Sequence, residues 1–318
     1  MSFSNSGFSA PATPRPMYTS PYAGKNVNFF RILKSEWLKL WTLRSTWWVV
    51  ALTIVLMAGF ALMFATIMRT TLNNPDTLAA MAAASEAGVE SPGMEVGMSA
   101  LTGGFSAVNI VTLGLQFAQL TVAVLGVLMI TNEYSSGMIR ATFSAAPHRG
   151  TVLLAKLLVL LITTLLIAAI GLALAWLVTY PIVDDVTLIN RVDFGSWDDM
   201  RALMGAILYL MAIAALSLGI GTLIRASSGG IFAVVALLMV LPMIFQIILF
   251  ASDTAWAQTV FRYLPTQAGE RIYQVGSFGT MGGIAGEPLA PWTGFFVLLA
   301  YAAIAYIAAM IVMRRRDA

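Results

Sequence analysis

Six stretches of this chain stay apolar for about the length that crosses the hydrocarbon core of a bilayer, roughly 20 residues rising about 1.5 Å each in a helix. They lie at about Thr46 to Met68, Val108 to Ile130, Val152 to Thr179, Ala202 to Ile224, Gly230 to Phe250 and Trp292 to Met313. Lipid offers no hydrogen bonds, so every backbone amide in such a stretch must find its partner within the segment, and a helix does this. A membrane barrel would instead show short segments alternating between apolar and polar residues. Composition agrees: 59% of the 318 residues are apolar and 10% are charged, against about a quarter charged in soluble domains. The expected fold is an all-α membrane protein.

Charge placement tests the count of spans. With the N-terminus inside, the inner segments carry thirteen Lys and Arg and three acidic residues, while the outer ones carry five and twelve. Excess Lys and Arg on the cytoplasmic side is the usual bias, which predicts both termini in the cytoplasm and an even number of spans in the cell membrane. Pro242 sits at mid-depth of the fifth span, where a kink is expected because proline removes one helical hydrogen bond. The fourth is the weakest, because Gly219-Ile220-Gly221 loosens it. Small residues at helical spacing there, Ala215 with Gly219 and Ser217 with Gly221, permit close helix contact.

Residues 1–27, rich in Pro, Ser, Ala and Gly without apolar period, read as a flexible cytoplasmic tail and lack the pattern of a signal peptide. Residues 28–44 differ from both tail and spans. On a helical wheel Phe29, Phe30, Ile32, Leu33, Trp37, Leu40, Trp41 and Leu43 fill one arc, while Arg31, Lys34, Ser35, Lys39 and Thr42 lie mainly on the other. This pattern predicts an amphipathic helix lying in the cytoplasmic interface against lipid headgroups. Leu38 falls on the polar side and Glu36 inside the apolar arc. A carboxylate so placed needs a cation, either Lys39 three residues on or a basic group from another segment. Residues 46–313 then form the six-helix domain and 314–318 a basic cytoplasmic end.

Chemistry-bearing motifs are missing. The chain has no cysteine and one histidine, which excludes disulfides, thiolate metal sites and histidine clusters. It has no phosphate loop, no H-E-x-x-H, no G-x-S-x-G and no dinucleotide fingerprint. His148, beside Pro147 and Arg149, reads as a polar loop residue. An intramembrane enzyme would need acidic, histidine, serine or lysine groups gathered at membrane depth, and the spans show no such group. No enzyme activity, bound cofactor or metal is expected of this chain, and its small net charge of +3 gives no reason to expect nucleic acid.

The connection between spans two and three, Thr131 to Lys156, carries the strongest signal. Glu133 to Phe143 is expected to form a short helix broken by Gly137 and ended before Pro147. Glu133, Arg140 and Arg149, with Tyr134, Met138, Ile139 and Phe143 exposed, give it the mixed character of a docking surface.

Several fragments, taken in order, resemble the permease subunits of the type-two ABC exporter family: Lys34-Ser35-Glu36 through Lys39 to Arg44-Ser45; N-E-Y-x-x-G-x-I-R-A-T-x-x-x-x-P-x-R from Asn132 to Arg149; the Ala155-Lys156 pair; Tyr263-Leu264-Pro265 before the last span; and the terminal R-R-R-D. The similarity runs from about residue 28 to 318. It implies a permease that moves substrate across the membrane while separate ATP-binding subunits, two copies, bind ATP and Mg. A second permease chain, identical or related, completes the transporter. Carried onto this sequence, the coupling residues are Glu133, Gly137, Arg140, Pro147 and Arg149, and the interface helix presents Glu36, Trp37, Lys39 and Trp41. The tail and the outer loop from Arg69 to Ala107 depart from the compact form of the family. The alternative is a membrane docking or sensory component without transport.

Overall fold

The structure is a computed structural model that describes residues 28–86, 106–138, 149–186, 189–252, 254–276 and 288–315. All regular structure among them is helical apart from one isolated bridge, Ser106 to Asn190. An amphipathic helix α1 (Phe29–Thr42) precedes α2 (Arg44–Leu72), and a short α3 (Pro75–Glu86) follows. Then come α4 (Ala107–Thr112) with α5 (Leu115–Ser135), α6 (Arg149–Val183), α7 (Trp197–Ile224) and α8 (Ser227–Ala251). Two short helices, α9 (Ala255–Tyr263) and α10 (Pro265–Glu270), lead to α11 (Pro291–Arg315). Six helices are long and apolar enough to cross a membrane: α2, α4 with α5, α6, α7, α8 and α11. The chain is a multi-pass, all-α membrane protein.

The spans match their expected positions to within a few residues, with informative exceptions. The second is broken at Leu113-Gly114, where a side chain on Gly114 would lie 2.4 Å from the Met57 Cα; only glycine lets the two backbones meet so closely. The loop after the first span is shorter than expected, because α2 runs on to Leu72 and α3 follows. In the fifth, the helix widens into a π turn at Ala236–Val240 just before Pro242, which accommodates the hydrogen bond that proline cannot make.

The span that looked weakest is at the centre. Helix α7 packs against α5, α6 and α11. Its small residues make the contacts: Ser217 lies against Gly126, Gly219 against the Ala305 backbone and Gly221 against the Val127 backbone. Glycine lowers intrinsic helix propensity but admits neighbouring backbones, and in lipid close packing is the larger effect. Helices α2, α8 and α11 are far less enclosed, with 22%, 17% and 28% of their apolar windows buried against 61% for α7. Their exposed Ile, Leu, Met and Phe suit hydrocarbon.

The connection between α8 and α11 does not simply loop over the bundle. After α9 the chain turns at Leu264-Pro265, and α10 runs back between α7 and α11. Pro265 begins α10 without loss because the first helical amide has no partner anyway. Leu264, Pro265, Thr266, Ala268, Gly269 and Glu270 are buried.

Candidate functional site

Helix α1 rests against the start of α6 and the start of α2. Its wheel is realised only in part: Glu36 and Leu40 are buried, Trp37 and Trp41 half-buried, and Phe30 and Leu38 exposed. Trp41 packs between Trp37, tilted at 45°, and Trp47, edge-on, with ring centroids at 5.6 and 5.0 Å. The Trp47 indole donates to the Trp41 carbonyl at 3.1 Å, which fastens α1 to α2 across the bend at Leu43.

The buried Glu36 carboxylate organises this end of the molecule. Its Oε1 accepts from Lys39 Nζ at 2.8 Å and its Oε2 from Lys156 Nζ at 2.5 Å. The same two ammonium groups reach Glu133 Oε1, at 3.0 Å from Lys39 and 2.8 Å from Lys156. Two carboxylates and two lysines thus form a closed ring of zero net charge. It joins α1, the last turn of α5 and the first turns of α6. Lys156 is 1% exposed, so no water competes for its charge, and the ring is what makes a lysine tolerable there. For Lys39, burial pushes the ammonium pKa down, but the hydrogen bonds it donates to both glutamates and their negative charges outweigh this and raise the value above 10.5. Lys39 therefore stays charged at physiological pH.

Both alternatives for neutralising Glu36 are realised at once, Lys39 from its own helix and Lys156 from 120 residues away. Lys156 was legible only as half of the Ala155-Lys156 pair. Its position a turn inside the apolar run was the signal that it needs an anion.

Glu133 ends up inside the ring, half of its carboxylate facing Lys39 and Lys156 while Oε2 has no hydrogen-bond partner. It does not begin a separate short helix, because α5 continues to Ser135. The chain then turns at Gly137, whose φ of +70° is open to glycine at little cost. Tyr134 is half-buried under the Arg225 guanidinium, 5.2 Å from its ring centroid, and Met138 is exposed. Arg149 opens α6. Ile139, Arg140, Phe143, Pro147 and His148 lie outside the described residues. A cavity of about 470 Å³ borders the ring, walled by Leu40, Leu43, Leu128, Met129 and Met138.

The far end holds polar groups that sequence reasoning passed over. Arg201, near the start of α7, donates to the carbonyls of Ile272 at 2.8 Å, Gln274 at 3.2 Å and Arg271 at 3.4 Å. It thereby satisfies carbonyls of the turn that follows α10. Asn109 in α4 does the converse with a single residue: Nδ2 donates to the Val275 carbonyl at 2.9 Å and Oδ1 accepts from the Val275 amide at 3.1 Å. Deeper in, the Tyr209 hydroxyl donates to Gln119 Oε1. Among the described residues no group of three His, Cys, Asp or Glu is placed to hold a metal ion.

The sequence matches the family described as ABC-2 family transporter protein over residues 30–318. No curated protein matches the chain.

Proposed function

The chain belongs to the ABC-2 family of transporter proteins, and from that premise we propose that it is the permease of an ATP-driven exporter whose α1 end faces the cytosol. The observation that carries this reading is the charge ring. Glu133 and Lys156 stand at the two roots of the 136–148 connection, on α5 and α6, and both are bonded to α1. A push on that connection is therefore felt at once by the interface helix and, through Trp41 and Trp47, by the first span. Rigid charge-assisted bonds transmit displacement better than apolar contact alone, because their geometry is directional.

In this mechanism a separate ATP-binding subunit, present in two copies, binds ATP and Mg and does the covalent chemistry. Its closure acts on Gly137, Arg140, Pro147 and Arg149, while Glu133 anchors the connection to α1. Glu36, Trp37, Lys39 and Trp41 pass the movement to α2. A second permease chain completes the path, and the long connection after α2 and the tail before residue 28 are additions to this core. The thirteen-to-five bias of basic residues supports a cytoplasmic location for both termini. A reporter active only in the cytoplasm should work after Ala318 and fail at Gly93; the reverse pattern overturns the orientation.

Docking is tested on Arg140, whose planar guanidinium pairs with a carboxylate in a way lysine cannot copy. With membrane insertion verified, Arg140→Glu should lower affinity for the ATP-binding subunit by about tenfold or more. Unchanged affinity removes Arg140 from the interface. Glu36→Gln should leave that affinity intact while lowering the stimulation of ATP hydrolysis by the permease, since it removes the ring's central charge at constant volume. Stimulation equal to the parent's would separate the ring from coupling. If no ATP-binding subunit accompanies the chain from native membranes, a docking or sensory role replaces transport.

A further inference from the structure

At the far end, in the connection between the last two spans and outside every spanning helix, Glu270 closes α10. Its side chain is buried with the residue 7% exposed. One of its oxygens, Oε1, has no hydrogen-bond partner, although the Gln116 amide bonds to the carboxyl from α5. No lysine stands opposite it, as Lys156 stands opposite Glu36.

The groups that face it are few. From α7 comes the Tyr209 phenol, whose hydroxyl is committed to Gln119. On its own segment lie the Tyr273 ring, 5.2 Å from that of Tyr209, and the Arg271 guanidinium, which reaches Gln274 Oε1 at 3.4 Å. Arg201 is nearby but spends its donors on the carbonyls of residues 271, 272 and 274 and on Asp198. Helix α9 carries only Arg262, and α8 and α11 carry no charged residue up to Met313. The packing leaves little room for water to enter: a side chain on Gly269 would strike Leu298 and the Tyr209 ring at 2.6 and 2.9 Å, and one on Gly294 would strike the Ala268 carbonyl.

An anion whose second oxygen meets no donor is costly in such a place, whereas the neutral acid can be buried at a small fraction of that cost. We propose that Glu270 is a proton-binding site that latches the α9–α10 hairpin: α10 packs against α11 and α7 with the carboxyl neutral, and loss of the proton loosens it. Burial pushes the carboxyl up from an ordinary 4.5 to about 7, against the opposing pull of Gln116 and Arg271. Burial also raises Tyr273 well above its ordinary range, so this phenol stays neutral and does not compete for the proton.

The sign follows from which form binds the proton more tightly. The packed hairpin holds it up to about pH 7 and the loosened one, with Glu270 in water, only up to its ordinary 4.5. The latch is therefore strongest below 4.5, weakens as pH rises toward about 7 and is flat above that. Between about pH 6 and about pH 8 the opening equilibrium should rise about tenfold.

The test uses the whole chain in lipid nanodiscs. Hydrogen exchange of peptides covering 264–276, corrected for the intrinsic pH dependence of exchange, should show that tenfold rise, while peptides from α1 stay level. Glu270→Gln, neutral at every pH, should remain protected throughout. The infrared carbonyl band of a protonated carboxyl should be present at about pH 6, titrate away near 7 and be missing from the variant. A flat profile at 264–276 in the parent chain overturns the latch whether or not the variant inserts. So does an undiminished rise in Glu270→Gln, or an acid band that titrates near 4.5. None of these measurements depends on an ATP-binding subunit, so failure here leaves the coupling proposal standing, and failure there leaves this one.

Discussion

At the α1 end, Glu36 and Lys156 are 2% and 1% exposed and meet at 2.5 Å; at the far end, Glu270 and Arg201 are nearly as buried, at 7% and 8%, yet neither faces an equally buried opposite charge. The first pair answers the cost of desolvation with countercharge in a closed ring. The second answers it with backbone carbonyls for the arginine and with a proton for the glutamate. A ring of opposite charges ties three segments into one body. Carbonyls and an exchangeable proton hold a segment with less energy and on condition. On the proposed reading, the α1 end transmits force and the far end releases.

The largest effect is expected where the comparison is sharpest. Lys156→Met leaves two buried carboxylates with one half-exposed lysine and should lower unfolding stability by about 3–5 kcal/mol. Combining it with Glu36→Met should recover part of the loss, since apolar residues of similar volume replace a buried ion pair well. A thermal or denaturant melt in lipid discs checks both, and a double variant no better than the single one would show that the ring is not the unit of stability. Next comes Arg201→Lys, which keeps the charge but cannot fork to three carbonyls. A loss of about 2 kcal/mol is expected, seen first as faster exchange at 264–276 rather than as global unfolding. Equal loss in α1 and α10 peptides would erase the distinction between the two ends.

Asn109→Ala removes both bonds to Val275 and should cost about 1–2 kcal/mol, again confined to the far end. The smallest change is expected for Arg69→Gln. Its pair with Asp185 is short, at 2.7 Å, but the side chains are 48% and 55% exposed, and an exposed pair contributes about 1 kcal/mol at most. If the melt moves more for Arg69 than for Asn109, distance rather than burial ranks these contacts and the comparison fails.

Much of this was legible along the chain. The six spans followed from apolar length alone, and the anomaly of Glu36 followed from one polar residue in an apolar arc. The Gly137 turn was visible because glycine punctuates a helix end. What escaped was the end of α5: a separate short helix was expected from Glu133, but the spanning helix itself carries on to Ser135, with Glu133 bonded to lysines at two sides. The hairpin of α9 and α10 also escaped. Six- and nine-residue helices have no stability of their own, and their mixed composition read as part of an outer loop. Gly219 and Gly221 were legible both as a loosening of the span and as room for close contact, but not which helices they admit: propensity is local, while the backbones they meet belong to other helices.

Hydropathy and charge bias are sums over neighbours in sequence, and lipid enforces them one segment at a time, so the number of spans and the amphipathic character of α1 were determined by the sequence itself. The partners of the buried charges were not. Glu36 meets Lys156 across 120 residues and Lys39 meets Glu133 across 94, and which side chain arrives depends on how the helices cross and turn about their axes. The same packing left one oxygen of Glu270 without a donor, although Arg271 is its neighbour in the chain. Burial in a medium without water turns each such arrangement into a large energy, and only the assembled bundle decides whether an opposite charge, a carbonyl or a proton supplies the answer.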